Sequence, residues 1–232
     1  EISCLRDWFA GKTMILAAGG PSLDDNIELL KQRKTSDHIL VCVGKVAAKL
    51  IREGLRPDYI VMIDGAAKTR WQINGIEDSG IPLIYLATAA AKVVEDYQGK
   101  RYVAYQEGFP AAEKYAEEKS YPLYQTGGSV STFALDMGIR FGCSRIVCVG
   151  LDMGYPGNRT HASGVGADVA DRKNLRRVEG IASEYVYTSR TLDIYRKWIE
   201  ERIRGVQGVQ IVNVSGGARI HGMEEGSLIE YM

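Results

Sequence analysis

The sequence predicts an α/β protein, a Rossmann-like three-layer sandwich with a mostly parallel sheet and helices on both faces. Short apolar runs rich in Val, Ile and Leu recur without polar alternation, which is typical of strands buried on both faces. Segments with helical periodicity lie between these runs, and this alternation favours βαβ units. Gly54 and Gly142 each follow a helical segment shortly before the next strand, as expected of helix-terminating glycines.

The strands are predicted at residues 13–17, 38–43, 59–63, 83–86, 102–105, 145–149 and 209–212. The helices are predicted at residues 25–33, 46–53, 89–96, 111–118, 130–141 and 191–204. Residues 154–178 break this alternation, since they combine Pro156 and several glycines with a charged segment. Long irregular segments in compact domains are usually functional lids or disordered loops. We therefore predict a mobile lid at 154–178, with a plain solvated loop as the alternative.

Length and composition fit one large or two small globular domains, and we predict a single domain spanning residues 1–232. The chain begins with Glu1 and enters an amphipathic stretch at once, so we expect a domain excised from a longer protein. The 29 basic and 29 acidic residues cancel. Because proteins that bind nucleic acid or anionic membranes usually carry a basic excess, neither partner is expected.

The cysteines indicate a reducing compartment. The chain has four, without CxxC spacing, and Cys42 and Cys148 lie inside apolar strand runs. Reduced core cysteines explain this pattern better than a disulfide or a zinc site. No signal peptide and no apolar run long enough to cross a membrane is visible in the sequence, so a cytoplasmic location is the expectation.

The first candidate motif is the turn Gly19-Gly20-Pro21-Ser22, which joins the first strand to the first helix. Glycines allow close backbone approach to a ligand, and a helix N-terminus offers amide groups to a phosphate. The turn is neither GxGxxG nor a Walker A loop, because no Gly-Lys-Ser/Thr follows it. A tight structural turn is the alternative interpretation.

A second turn of this kind is Thr126-Gly127-Gly128-Ser129, which precedes the helix at 130–141. Its hydroxyls, its glycines and the helix N-terminus suit a phosphate or a carboxylate. The same residues would also make an ordinary well-capped helix.

Polar side chains are also predicted at the carboxyl ends of strands. Asp64 and Asp152 each follow a buried strand, His161 lies in the irregular stretch, and Asn213 and Ser215 follow the last strand. Asp64 is a candidate ligand of a ribose hydroxyl or a cation, and His161 a candidate base. Asn213 and Ser215 are candidates for reading a base or a sugar. Helix capping, loop exposure and plain chain reversal are the respective alternatives.

In a parallel sheet, turns that follow strands share one edge. The glycine-rich turns and these polar residues are therefore expected to converge on one ligand, and we predict a nucleotide or phosphate site at that edge.

These motifs, in this order and spacing, resemble the central domain of Maf motility-associated flagellin glycosyltransferases. The same domain family contains 6-hydroxymethyl-7,8-dihydropterin pyrophosphokinases, and bacterial CMP-sialic acid sialyltransferases are distantly similar. The resemblance implies transfer of a nonulosonic (sialic-like) acid from a CMP donor to Ser or Thr of a protein such as flagellin. It is carried by Ala-Gly-Gly-Pro-Ser-Leu (18–23), the segment 56–64, Thr-Gly-Gly-Ser-Val (126–130), Val-Gly-Leu-Asp (149–152), Thr-His (160–161) and the segment 213–222.

With a CMP donor as the hypothesis, roles can be assigned to individual residues. The CMP phosphate would rest on the two glycine turns, and Tyr155 and Tyr187 would donate to the departing phosphate. The sialyltransferases place a catalytic histidine just before the last helix, where this chain has Tyr185, Tyr187 and Thr188. His161, Asp152 or Asp64 is then the candidate base. No metal or other cofactor is required, because neutral donors can stabilise the leaving phosphate.

Two other functions remain open. ATP-dependent pyrophosphoryl transfer to a pterin alcohol would need Mg²⁺, with Asp64 and Asp152 as the candidate metal ligands. A non-catalytic nucleotide-binding or scaffold module would need no base. The sequence leaves the sugar, the acceptor and the oligomeric state undetermined.

Overall fold

The protein is described by a computed structural model that covers residues 1–166 and 174–232. Its strands are β1 (Thr13–Ala17), β2 (His38–Val43), β3 (Tyr59–Met62), β4 (Leu83–Leu86), β5 (Arg101–Gln106), β6 (Leu123–Tyr124), β7 (Arg145–Val149), β8 (Arg176–Glu179), β9 (Tyr185–Thr188), β10 (Gln210–Asn213) and β11 (Glu224–Glu225). Its α-helices are α1 (Arg6–Phe9), α2 (Leu23–Leu30), α3 (Gly44–Arg52), α4 (Ala91–Asp96), α5 (Pro110–Lys119), α6 (Val130–Arg140) and α7 (Arg190–Ile203). Short 3₁₀ helices occupy Ile2–Leu5, Ala67–Ile73, Pro156–Asn158 and Leu228–Tyr231.

Within the described ranges, nine strands form one sheet in the order β11-β10-β7-β1-β2-β3-β4-β5-β6. Every neighbouring pair in this sheet is parallel. The strand order reverses direction at β1, which pairs with β2 on one side and with β7 on the other. In open α/β sheets such a switch point leaves a crevice at the carboxyl ends of the strands, and ligands bind there. Strands β8 and β9 form a separate antiparallel hairpin.

Both faces of the sheet are covered. Along β1, Met14 and Leu16 belong to one apolar cluster and Ile15 and Ala17 to another, so side chains of one strand enter two cores alternately. The first core includes residues from α1, α6 and α7, and the second includes residues from α2, α3 and α4. The predicted three-layer α/β sandwich is therefore confirmed.

Helix α6 is held in place by a buried carboxylate, Asp136, which is 0% exposed. It accepts hydrogen bonds from the backbone N–H of Gln125 at 2.8 Å, from Arg140 at 2.9 Å and from Arg202 of α7 at 2.6 Å. The two arginines compensate the buried negative charge of Asp136. These bonds fix the turn before α6 relative to α7.

The predicted elements agree with the structure except at short or polar segments. The two-residue edge strands β6 and β11 and the hairpin β8–β9 were not expected. Of the predicted lid at 154–178, residues 167–173 lie outside the described residues; the Pro156–Asn158 turn precedes them and β8 follows.

All four cysteines are free thiols, and Cys42, Cys143 and Cys148 are buried. Burial raises the pKa of Cys143 and of Cys148 to about 12, so both remain protonated core side chains at neutral pH. In the part of the chain that the structure describes, no helix combines the length and apolar character needed to span a membrane.

Candidate functional site

A cleft of about 330 Å³ lies at the carboxyl ends of β1, β2, β3 and β7. A volume near the lower end of ordinary ligand pockets suits a nucleotide-sized molecule. The residues predicted from sequence that line it are Gly19, Gly20, Asp64, Gly128, Ser129, Asp152 and His161. The glycine turn after β1 and the turn before α6 are more than 100 residues apart in sequence, yet they share one cavity, as predicted for turns at one edge of the sheet.

The turn after β1 leaves no space for a side chain at Gly20. The Gly20 N–H donates to the Gly150 carbonyl at 2.8 Å. A Cβ at Gly20 would lie 2.1 Å from Asp152 Oδ2 and 2.6 Å from the Gly150 oxygen. The close packing of the turns after β1 and β7 therefore requires glycine at this position. This requirement is independent of any contact with a ligand.

Two helix N-termini open into the cleft. Helix α6 begins at Val130, and its N-cap Ser129 accepts a hydrogen bond from the Thr132 N–H at 3.2 Å. Helix α3 begins at Gly44 without a side-chain cap, and Gly44 lines the cleft. The helix dipole favours an anion at both positions, and the uncapped amides of α3 add hydrogen-bond donors there.

Lys45 is a site residue that the sequence reasoning missed. It lies in the first turn of α3 and lines the cleft. A Cβ built on Gly19 would lie 2.9 Å from Lys45 Cε, so the lysine side chain passes directly over the glycine turn. Burial lowers the pKa of Lys45 to about 8, and the carboxylate of Asp64 opposes this shift. At neutral pH the ammonium is therefore mostly charged, which suits a phosphate.

The 3₁₀ helix Ala67–Ile73 forms the wall of the cleft on the β3 side. Trp71 lines the cleft and is 50% exposed, which leaves much of its ring accessible. The neighbouring Gln72 donates to Asp64 Oδ2 at 2.9 Å and so orients that carboxylate. An accessible indole beside an oriented carboxylate is suited to a nucleobase and its ribose.

Asp152 is the acid of the cleft whose pKa is shifted most. It is 2% exposed, accepts a hydrogen bond from the Ser22 N–H at 3.1 Å and also one from the Ser22 hydroxyl. Burial raises the pKa of Asp152 from 3.8 to about 6, although the two bonds from Ser22 oppose the shift. A carboxylate that titrates near neutral pH matches a general base.

The raised pKa of Asp152 makes folding stability depend on pH. The folded state retains a proton that the unfolded chain has already lost, so this stabilisation is present below about pH 4 and disappears as pH rises through about 6. At roughly 1.4 kcal/mol per pKa unit, the change is roughly 2–3 kcal/mol. We expect Asp152→Asn to remove this dependence in urea unfolding between pH 4 and 7. Parallel curves for the variant and the wild type would contradict the assignment, and Asp78→Asn, at an exposed position, is the control.

Asn213 and Ser215 do not line the cleft, contrary to the expectation that they read a base or sugar. They are 1% and 3% exposed. The Ser215 hydroxyl accepts from the Leu151 N–H at 2.8 Å, and Asn213 Oδ1 accepts from the Ser215 N–H at 3.1 Å. The Ser215 hydroxyl thus attaches the turn after β10 to the end of β7, whereas the buried Asn213 Nδ2 has no hydrogen-bond partner among the described residues.

The next residues of this turn hold Ser22 and the backbone of Asp152 in place. The Gly216 N–H donates to the Ser22 hydroxyl at 2.7 Å, and the Ala218 N–H donates to the Asp152 carbonyl at 2.6 Å. A Cβ at Gly217 would lie 2.1 Å from that carbonyl oxygen. The C-terminal glycine-rich motif is therefore a structural support of the site.

Residues 159–165 form a strap that contributes Thr160 and His161 to the lining of the cleft. The Ala162 N–H donates to the Gly19 carbonyl at 3.0 Å. Asp24 of α2 accepts from the Ser163 N–H at 3.0 Å and also pairs with Arg159. These bonds place the strap directly over the glycine turn.

A buried lysine completes this attachment. Lys49 of α3 is 4% exposed and lies 2.9 Å from Asp24 Oδ1 and 3.0 Å from the Ser163 hydroxyl. Burial raises the pKa of Asp24, but the bonds from Lys49, Ser163 and Arg159 together hold it well below its ordinary value. The strap is thus anchored to a carboxylate that stays ionised throughout the physiological range.

The remaining predicted residues lie beside the cleft. Pro21 and Ser22 are buried under the glycine turn. Thr126 accepts from the Gly128 N–H at 3.1 Å, and Gly127 packs against Trp198 with no space for a Cβ. These residues shape the two turns and do not line the cavity.

Tyr155 and Tyr187 also lie outside the lining of the cleft. Together with Ser183 and Tyr185 they line a second cavity, and Tyr187 is hydrogen-bonded to Arg177. Their expected role as donors to a phosphate in the cleft is therefore not favoured by their position.

Three residues that line the cleft were not predicted from the sequence, and the reason differs for each. Lys45 lies just after the carboxyl end of β2, as Asp64 does after β3. The rule that predicted Asp64 from its place after a buried strand would therefore also have predicted Lys45. Trp71 lies in a segment without periodicity. Tyr195, which also lines the cleft, has the spacing of an ordinary core residue of α7.

Comparisons with known proteins agree with this architecture. The chain matches a solved structure of a Maf glycosyltransferase from Magnetospirillum magneticum AMB-1 with a TM-score of 0.75 at 17% identity. The match covers 94% of this chain and 34% of that one, so the chain spans about one third of that protein. No curated protein matches significantly. Residues 1–158 match the model of the family described as 6-hydroxymethylpterin diphosphokinase MptE-like. The chain therefore belongs to the 6-hydroxymethylpterin diphosphokinase MptE-like family, whose fold it shares with the Maf glycosyltransferase.

Proposed function

We propose that this chain is a nucleotide-sugar glycosyltransferase domain that transfers a nonulosonic acid from a CMP donor to Ser or Thr of a protein such as flagellin. The observation that carries this proposal is the meeting of the glycine turn, two helix N-termini and Lys45 in one cleft. Each of these groups stabilises a phosphate. The fold shared with a Maf glycosyltransferase is consistent with it.

In this proposal the nucleotide lies along the carboxyl edge of the sheet. The phosphate contacts the Gly19-Gly20 turn and the first turn of α6, with the Lys45 ammonium as counter-charge. The base stacks on Trp71, and the Asp64 carboxylate accepts from ribose hydroxyls. The single negative charge of a CMP diester is matched by these donors without a metal ion.

The transfer step needs a base and a leaving group. The acceptor oxygen forms a bond to the anomeric carbon while the bond from that carbon to the phosphate oxygen breaks, and CMP departs with the electron pair. The acceptor proton passes to a base, for which we favour Asp152 because its pKa near 6 leaves it ionised at pH 7 and still basic. His161, on the strap, is the other candidate.

Lys45→Met tests the phosphate contact. Loss of one charge-assisted hydrogen bond, about 1.5–3 kcal/mol, is expected to weaken CMP binding roughly 10- to 100-fold in calorimetry. CMP affinity of the wild type is also expected to fall as pH rises through about 8, where the lysine loses its proton. Lys114→Met, on the exposed side of α5, is the matched control. Equal CMP affinity of the two variants would refute the proposed contact, and no CMP binding by the wild type at millimolar ligand would refute the function.

A second function is favoured by the family match, namely ATP-dependent pyrophosphoryl transfer to a pterin alcohol. That reaction uses Mg²⁺. Asp64 Oδ2 already accepts from Gln72, and both Asp152 oxygens accept from Ser22. Within residues 1–166 and 174–232, no cluster of three or more His, Cys, Asp or Glu residues could hold a metal. A Mg²⁺ ion bound mainly by ATP phosphates needs only one or two protein carboxylates, which Asp64 and Asp152 would supply. Magnesium-dependent ATP binding without a response to CMP would favour this function over the first.

A further inference from the structure

A second cavity of about 290 Å³ lies beside the cleft, between residues 155–158 and residues 183–187, and Tyr155, Tyr185 and Tyr187 line it. At about 30 Å³ per water molecule it has room for one substituted pyranose ring. Three of its lining residues are tyrosines, so it combines aromatic faces with hydroxyl groups. Monosaccharides present a similar combination of C–H faces and hydroxyls.

The aromatic residues of this cavity are arranged together with a cation. The rings of Tyr185 and Tyr187 are 5.8 Å apart and nearly perpendicular. The Arg177 guanidinium lies 4.3 Å from the centre of the Tyr185 ring and donates to the Tyr187 hydroxyl at 3.3 Å. Tyr185 remains 41% exposed, so part of its ring is accessible. A guanidinium beside hydroxyls suits a ligand that carries a carboxylate.

The cavity adjoins the cleft through consecutive residues of the chain. Gly154 lines the cleft, and the next residue, Tyr155, lines the cavity. A Cβ at Gly154 would lie 3.0 Å from Val186, so the two residues pack closely where the two spaces meet.

Trp71 stands at the opposite end of the cleft, after β3. Three inter-strand steps separate β7 from β3 in the order β7-β1-β2-β3, which is about 14 Å. An extended nucleotide sugar has about this length, and its sugar lies at the end remote from the base.

We propose that this tyrosine-lined cavity binds the acidic monosaccharide of the donor, with Tyr155, Tyr185 and Tyr187 contacting the ring and Arg177 pairing with the carboxylate. This inference rests on the proposed function, because it takes the direction of the donor from the nucleotide in the cleft. It assigns the tyrosines to the sugar and not to the phosphate.

Calorimetry with two probes, CMP and CMP-N-acetylneuraminic acid, tests the inference. We expect the wild type to bind the sugar nucleotide at least tenfold more tightly than CMP. Tyr185→Ala is expected to reduce this ratio to near one and to leave CMP affinity unchanged. Tyr187→Phe, which removes only the hydroxyl bonded to Arg177, should reduce the ratio by a smaller factor. Tyr115→Ala, which alters a tyrosine of similar exposure on α5, should change neither affinity.

The outcomes separate the two proposals. If the wild type binds CMP and CMP-N-acetylneuraminic acid with equal affinity, the sugar site is overturned and the nucleotide site stays intact. An unchanged affinity ratio in Tyr185→Ala would have the same consequence. Saturation-transfer NMR with free N-acetylneuraminic acid detects binding of the sugar to the cavity when no nucleotide is present. A signal that Tyr185→Ala abolishes supports the sugar site even if CMP fails to bind, and its absence from the wild type counts against it.

Discussion

Replacing Gly20 with alanine is expected to lower the free energy of unfolding by on the order of 4 kcal/mol, above the usual 1–3 kcal/mol for overpacking. The new Cβ would lie 2.1 Å from Asp152 Oδ2 and 2.6 Å from the Gly150 carbonyl oxygen. Neither atom can move easily, because Asp152 is held by Ser22 and the Gly150 oxygen belongs to the backbone. Urea unfolding monitored by circular dichroism measures the effect.

Gly216→Ala is the matched control for this substitution. Gly216 lies in the same region, since its N–H donates to Ser22, yet a Cβ there would meet its nearest atoms at 3.5 Å, an ordinary contact. Its expected cost is within about 0.5 kcal/mol. Similar losses in the two variants would show that the region tolerates added volume and that Gly20 is not sterically required.

Replacing Asp24 with alanine is expected to destabilise the fold by about 4 kcal/mol, within the 3–5 kcal/mol measured when one partner of a buried ion pair is removed. The substitution leaves the Lys49 ammonium, 4% exposed, with Glu53 at 3.5 Å as its remaining carboxylate partner. It also removes the acceptor of the Ser163 N–H and the partner of Arg159. Chemical denaturation measures the loss of stability.

The double variant Asp24→Leu/Lys49→Met separates charge burial from positioning. Replacing both partners by apolar residues of similar volume is often neutral or stabilising, so most of the lost stability should return. The strap would still lack its anchor to α2, so ligand affinity in the cleft should remain reduced. Recovery of both stability and affinity would contradict a positioning role for Asp24.

The fold was predictable because its signals are local and repeated. The buried central strands β1, β2 and β7 read as continuous apolar runs, and helices α3, α6 and α7 have clear periodicity. The strands that were missed have no such signal. Strands β6 and β11 are two residues long, and β8 begins with two arginines that are exposed to solvent.

The site was predictable only where sheet topology decides position. Gly19, Asp64 and Asp152 follow buried strands, and a parallel sheet places them at one edge. Asn213 and Ser215 obey the same rule, yet Asn213 Oδ1 and the Ser215 hydroxyl accept hydrogen bonds from neighbouring backbone N–H groups. Sequence does not distinguish these two uses, because an amide or a hydroxyl bonds a ligand and a backbone N–H equally well.

The pairing of β1 with β7 determines when the cleft forms during folding. Thr13 pairs with Arg145, so the two walls of the cleft come from segments separated by more than half of the chain. Long-range contacts of this kind must overcome a large loop-closure entropy and form slowly. A nascent chain released before β7 is made would have the glycine turn but no pocket. Ligand occupancy consequently reports the integrity of the whole domain, and a ligand at 100 times its Kd should raise global stability by about 2.7 kcal/mol through mass action.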